Sequence, residues 1–302
     1  MVNDVDRLSK LLRELEADTG TSSTCNTVLV TLQKAMDRLQ VSDGEAFYAE
    51  LCKLTQILSE TKPQFGILKY YFKKLKADCH RVKEDEDWRE KVHQALADLH
   101  ENARSQRERL LQNATSIEVK NKTILIHDHS HTVHDVLIAF KRAHKKFNVI
   151  IAEQDVEKTN QNIEVLHAAE IPFQVIPDYM LSHIQANVDM VFFGGLTLKD
   201  SMNFVMDPGT YGVISQFQTM KIPVYMFMNT AKFSLWKSKP RGEIFFHAHK
   251  RSHHAKAIEY DRIKYSHDRV PANLFHKIIT NKGPLTPTQL KKTFEVLYKA
   301  AA

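Results

Sequence analysis

Hydrophobic positions in the first part of the chain recur at three- and four-residue steps. Leu8, Leu11, Leu12 and Leu15 form one stripe, Phe47, Leu51, Leu54 and Leu58 a second, and Val92, Leu96, Leu99 and Ala103 a third. An amphipathic helix needs that spacing to bury one face, so residues 1–117 read as an N-terminal helical domain. Gly20 is expected to stop the first helix, the Ser/Thr cluster at 21–24 to cap the second, and Pro63 to break the chain before Phe65 to Leu75. A long helix from about Asp87 to Gln112 is expected to join this bundle to the rest.

After Lys120 the pattern changes to short apolar runs alternating with amphipathic stretches. Thr123 to His127 precedes 131–145, Phe147 to Ala152 precedes 157–169, and Phe173 to Ile176 and Val188 to Phe193 follow, then 211–220 and Val224 to Phe227. Strands covered on both faces read as unbroken apolar runs, and parallel strands need crossover helices between them. The fold class is therefore α/β: an N-terminal helical bundle followed by a Rossmann-like, doubly wound parallel sheet over residues 118–302. The sequence shows no internal repeat and no low-complexity tract.

Composition narrows the setting. No apolar run approaches the roughly 20 residues of a membrane span, and the N-terminus carries charged side chains from Asp4 onward, which predicts a soluble, cytoplasmic protein without membrane contact. Cys25, Cys52 and Cys79 are widely spaced and form neither a CxxC pair nor an even disulfide framework, in keeping with a reducing compartment. The net charge is +6, yet acids interleave with bases in KEDEDWREK and RSQRER. A solvated helix surface accounts for them, and no direct nucleic-acid contact is expected. HKRSHHAK at 249–256 stands apart as a local cationic loop.

In a doubly wound sheet, ligands collect at the carboxyl ends of the strands, beside helix N-termini whose free amides attract anions. Three segments qualify: His127 to Thr132 after the first strand, with Asp128, His129, Ser130 and His131; Gly194 and Gly195 after the Val188 to Phe193 strand; and Asp207, Pro208, Gly209 and Thr210 before the 211–220 helix. Lys232, beyond the Val224 to Phe227 strand, can supply a cation. HDHSHTVH at 127–134 invites a Zn²⁺ or Ni²⁺ site, but no carboxylate or cysteine completes a recognised spacing, and histidine is frequent throughout the chain. A strand end and helix cap rich in histidine is the simpler reading, so neither a metal nor another cofactor is expected.

The order of these motifs resembles one family. TILIHDHSHTVHDVL, FNVIIAEQDVEKTNQNIEVLHAAEIPFQVIPDYM, VDMVFFGGLTLKDSMNFVMDPGTYGV, IPVYMFMNTAKF and GPLTPTQL, together spanning about 120–302, are similar to successive units of the translation initiation factor 2B alpha/beta/delta group. Relatives of that group include ribose-1,5-bisphosphate isomerase and methylthioribose-1-phosphate isomerase. The resemblance implies a glutamate and an aspartate at strand ends, here Glu153 and Asp178, and then a hairpin before a Gly-Thr motif.

The resemblance also implies what has been lost. The isomerases resemble one another in a cysteine after the first strand and an aspartate after the Gly-Ala turn, which exchange protons with the sugar; here those positions hold Asp128 and Leu196. Where they carry an arginine and an Asn-Lys pair, this chain has Asp155 or its neighbour and Met206-Asp207, acids that would repel a phosphate. The expectation is a non-catalytic regulatory or assembly subunit, a homodimer or higher oligomer that meets partners of the translation initiation machinery, with a residual pocket for a sugar phosphate, nucleotide or small anion. The alternative is an aldose-ketose sugar-phosphate isomerase or sensor with altered site residues. FGILKYYF at 65–72 is a candidate partner surface, with core packing the plainer role for most of its aromatics.

Overall fold

The computed structural model describes residues 4–36, 38–61, 65–127, 129–235, 246–253, 258–265 and 267–301. Four helices come first: α1 (Asp4–Met36), α2 (Gly44–Glu60), α3 (Gly66–Val82) and α4 (Trp88–Ala114). Their apolar stripes meet in one core that holds Leu12, Leu29, Phe47, Leu51, Tyr71, Phe72, Leu75, Val92 and Leu96. The FGILKYYF segment belongs to this core, with Phe65, Ile67, Leu68, Tyr71 and Phe72 all buried and Tyr70 carrying the Lys74 ammonium 5.1 Å from its ring centre.

Two details differ from the linear pattern. Leu11 is 51 % exposed, because Leu8 and Leu12, one turn apart, already define the line that faces the bundle. At Gly20 (φ 75°) the backbone leaves helical geometry, so α1 is two helical pieces meeting at a kink. Of the Ser/Thr cluster at 21–24, Thr24 Oγ1 donates to the Gly20 carbonyl, and just before it Thr19 Oγ1 donates to the Leu15 carbonyl, each bonding back to the preceding turn. Asp43 does cap α2, accepting from the Ala46 amide at 2.8 Å.

The rest of the chain is mixed α/β. Its strands are β1 (Lys122–Ile126), β2 (Phe147–Glu153), β3 (Phe173–Pro177), β4 (Met190–Gly194), β5 (Thr197–Leu198), β6 (Asn203–Met206), β7 (Val224–Phe227), β8 (Phe246–His253), β9 (Ile258–Tyr265), β10 (Asp268–Pro271), β11 (Lys277–Thr280) and β12 (Gly283–Leu285). Between and after them run α5 (His131–Arg142), α6 (Val156–Ala168), α7 (Leu181–Ile184), α8 (Thr210–Thr219) and α9 (Pro287–Ala301).

Seven strands form the central sheet in the order β12-β11-β7-β4-β1-β2-β3, parallel throughout except for β12. Separate apolar clusters cover its two faces. Val133, Val136, Leu137 and Phe140 of α5 lie in the cluster with Phe192 and Phe227, while Ile214 and Phe217 of α8 and Leu290 and Phe294 of α9 lie in the cluster with Phe193 and Met226. From β1 the chain winds outward through β2 to β3, then returns to place β4 on the other side of β1. That reversal makes the carboxyl ends of β1 and β4 the switch point of the sheet.

Two smaller sheets complete the fold. β5, β6 and β10 pair antiparallel beside α8, supplying the hairpin that the family resemblance implied. Among the described residues, β8 and β9 pair only with each other, as a two-stranded ribbon. The cationic loop expected at 249–256 is corrected in part: residues 249–253 are strand, because eight consecutive residues of β8 pair with eight of β9, and residues 254–256 lie outside the described ones. Among the described residues, no helix is long and apolar enough to cross a membrane.

Candidate functional site

A cavity of about 650 Å³ opens at the switch point, floored by the ends of β1 and β4 and roofed by the α1 kink and by α4. His129, Ser130, His131, Gly194, Gly195, Asp207 and Lys232 line it together, so residues more than one hundred positions apart converge on one space. Asp128 lies outside the described residues. Gly209 and Thr210 are not on the cavity wall. They sit below it at the start of α8, where the Thr210 side chain is fully buried and its Oγ1 has no partner among the described residues.

Local sequence explains the floor. Ser130 caps α5 by accepting from the Val133 amide at 3.4 Å, which aims the first turn of that helix at the cavity. A Cβ on Gly194 would fall 2.0 Å from Ser130 Oγ, so the end of β4 can approach the cap only as glycine. Gly209 (φ 92°) takes the left-handed conformation that starts α8, and a Cβ there would fall 2.6 Å from Gln154 Nε2. Lys232, itself buried, donates from Nζ to the Gly195 carbonyl at 3.2 Å.

The histidine segment is a cluster in space. The ring centres of His129 and His131 are 4.6 Å apart, those of His129 and His134 4.9 Å, and His134 Nε2 lies 2.6 Å from Asn162 Oδ1. Burial, with the neighbouring imidazoles next in weight, pushes His129 down to about 3. Burial likewise lowers His131 and His134 below the ordinary histidine value. The cluster is therefore neutral at physiological pH, and its rings offer one donor and one acceptor each without adding charge. Among the described residues, no group of three His, Cys, Asp or Glu is placed to hold a metal ion.

Beneath the cavity, His127 is almost wholly buried with Asp178 at 3.8 Å, and neither ring nitrogen has a hydrogen-bond partner among the described residues. Burial lowers its pKa, with the Asp178 carboxylate opposing the shift.

The acids expected to repel phosphate are occupied. Asp155 caps α6, its Oδ1 accepting from the Glu157 and Lys158 amides at 3.1 and 3.2 Å. Asp207 is ion-paired with Lys158, so the carboxylate on the cavity wall carries its own counter-charge. Leu196 also lines the cavity, with its backbone amide bonded to the Val205 carbonyl at 2.9 Å; its side chain offers no proton carrier.

The roof was not legible from motifs. Gly20, Arg104 and Arg107 line the cavity, and Arg107 forms a two-pronged bond to Asp135 of α5 at 2.6 and 2.8 Å. A signal for Arg107 did exist: it is in register with Ala103 and Leu110 on the apolar side of α4, at steps of four and three residues. Lys158, a further wall residue, comes from α6 and carries no motif of its own.

The sequence model of the initiation factor 2 subunit family matches residues 17–287 of this chain. The chain belongs to that family. Within the family's reach, it is 26 % identical over 190 residues to translation initiation factor eIF2B subunit alpha of Dictyostelium discoideum. That match covers 58 % of this chain and spans only 59 % of the relative's length.

Three solved structures show the family fold. Translation initiation factor eIF-2B of Pyrococcus horikoshii OT3 aligns with a TM-score of 0.72 and 17 % identity over 93 % of this chain and 98 % of that one. The tetrameric eIF2B-beta2-delta2 complex of C. thermophilum gives 0.69 and 14 % over 97 % and 95 %, and shows that members assemble into oligomers. The 5-methylthioribose 1-phosphate isomerase of P. horikoshii OT3 gives 0.70 and 16 % over 95 % and 88 %. Factor subunits and an isomerase thus share this architecture, and the fold alone does not choose between them.

Proposed function

We propose that this chain is a non-catalytic regulatory or assembly subunit of the initiation factor 2B type. It works in the cytoplasm as a homodimer or higher oligomer and keeps a pocket for a small anion, sugar phosphate or nucleotide. The observation that carries this reading is Leu196. At the wall position where the isomerase resemblance implies a proton-carrying aspartate, the cavity has an alkyl side chain. The nearby imidazoles are poor replacements, because burial lowers His131 and His134 below the ordinary histidine value and His129 to about 3, which weakens each as a base. The start of α5 and Lys232 on the cavity wall favour a small anion, while Arg104 and Arg107 on the roof are already paired with Glu108 and Asp135.

The test is paired. Incubated with ribose 1,5-bisphosphate or methylthioribose 1-phosphate, the purified chain is expected to give no isomerised product, while a sugar phosphate or nucleotide at about 100 times its Kd raises stability by about 2.7 kcal/mol. Sustained turnover would replace this reading with the isomerase one. A monomer by light scattering would remove the assembly role.

A further inference from the structure

The cavity takes the carboxyl ends of β1 and β4; cations gather at the other end of the sheet, where β1 and β2 begin. A five-residue strand, roughly 16 Å long, separates the two ends. The run from Val136 to Ala152 carries Lys141, Arg142, His144, Lys145 and Lys146 and no acid. His144 ends α5 in the left-handed conformation (φ 56°), with its amide bonded to the Lys141 carbonyl and the Lys145 amide to the Phe140 carbonyl, so the chain turns at once into β2. The Asn121 amide donates to the Lys146 carbonyl at 2.7 Å, which brings Lys120 to the same turn.

These side chains divide by task. Lys145 Nζ bonds the Thr115 and Ile117 carbonyls at 2.7 Å each, Lys141 Nζ bonds the Glu170 carbonyl, and Lys122 pairs with Asp189 at 2.9 Å, so three lysines tie the turns to the rest of the domain. Lys120, Arg142, His144 and Lys146 are exposed, and their side chains make no hydrogen bond or ion pair among the described residues. Arg142 lies in the last turn of α5, where a cation complements the helix dipole, but Lys120 and Lys146 lie beyond the helix and need another reason. Glu118, the acid nearest to Lys120 in sequence, is engaged by the Lys120 amide at 2.8 Å, and Glu170 bounds the patch at the next turn, before β3.

We propose that this amino-end patch docks a nucleic-acid duplex through its phosphate backbone. The inference is independent of the proposed function of the cavity. The interleaved acids that argue against such contact in KEDEDWREK and RSQRER are missing from the run that builds the patch. An acidic protein is the poorer fit, because protein interfaces concentrate apolar and aromatic side chains at their centre, and among the described residues no large apolar side chain from 112 to 155 is exposed. The same lack of an exposed aromatic favours a duplex over a single strand, whose unpaired bases stack on such rings. Backbone docking needs only charge, and two adjacent turns supply it.

Fluorescence anisotropy of the full chain with labelled RNA and DNA duplexes of equal length tests this across a salt series. Binding is expected whose log affinity falls linearly with log salt, and a preference between the duplexes identifies the source of the phosphates. Lys120→Gln, Arg142→Gln and Lys146→Gln should each weaken it about 3- to 10-fold at about 0.15 M salt and lower the salt slope by about 0.9, with the thermal midpoint unchanged. The chain has a net charge of +6, so a control must remove a charge elsewhere. Lys292→Gln does so on α9, which packs on the opposite face of the sheet from α5, and should change affinity less than about 2-fold. Equal weakening by Lys292→Gln would mean attraction to the whole charged surface and would overturn the patch. Absence of duplex binding, unchanged binding by the three patch variants, or tighter binding of poly-glutamate of equal charge would overturn it as well.

Discussion

The central sheet and the β8–β9 ribbon are both made of strands, yet they carry information in opposite ways. Helices cover both faces of the central sheet, so its inner strands β4 and β7 are apolar throughout and alternation there tells nothing. Specificity there moves to the strand ends, where Ser130, Gly194 and Lys232 meet. The ribbon instead leaves Tyr260, Ile263 and Tyr265 each more than half exposed. Covering a sheet thus pushes chemistry to its edges, and leaving one bare keeps large side chains open to water.

The comparison breaks first at Phe192. This side chain is fully buried, with its ring centre 4.8 Å from Phe227 and 5.6 Å from Tyr225. Phe192→Ala should cost about 3–5 kcal/mol in urea unfolding. Next is Gly209→Val, which forces a β-branched residue into the left-handed region against Gln154. A loss of about 1–3 kcal/mol is expected whether or not a ligand is added, and a loss that ligand abolishes would mean a binding role instead.

A smaller effect should follow pH. The unfolded chain takes up protons at histidine as pH falls below the ordinary 6.5, whereas folded His129 resists until about 3. With His127, His131 and His134 shifted the same way, stability should be flat above that window and decline as pH falls through it. Urea midpoints at about pH 7.5 and about pH 5.5 measure this, and equal midpoints would mean the cluster is open to water. Smallest of all is Ile263→Ala on the ribbon, expected within about 0.5 kcal/mol of the parent. A loss as large as that of Phe192→Ala would show that the ribbon is covered in solution, which would sharpen the search for its partner.

Much of the fold could be read from the chain because burial leaves periodic marks. The stripes at Phe47, Leu51 and Leu58 and at Val92, Leu96 and Leu99 lie in the helical core as spaced, and Val224 to Phe227 is β7 to the residue. The motifs after β1 and β4 also named most of the cavity floor, since strand-end turns carry local chemistry that a linear reading detects. The roof was missed because nothing near Gly20 or Arg107 in sequence indicates that α1 and α4 cross the ends of a sheet formed later in the chain. The ribbon was missed because β8 lacks the apolar alternation that marks a half-buried strand.

By itself, the sequence determined the periods, the helix caps and the residues free to sit at strand ends, all of which depend on neighbours a few positions away. Only the tertiary structure decided that Asp207 finds Lys158, that His129, His131 and His134 meet as a cluster, and that His127 is buried beneath them. Those outcomes turn on distance through space and on exclusion of solvent, and both are set when separate segments pack together.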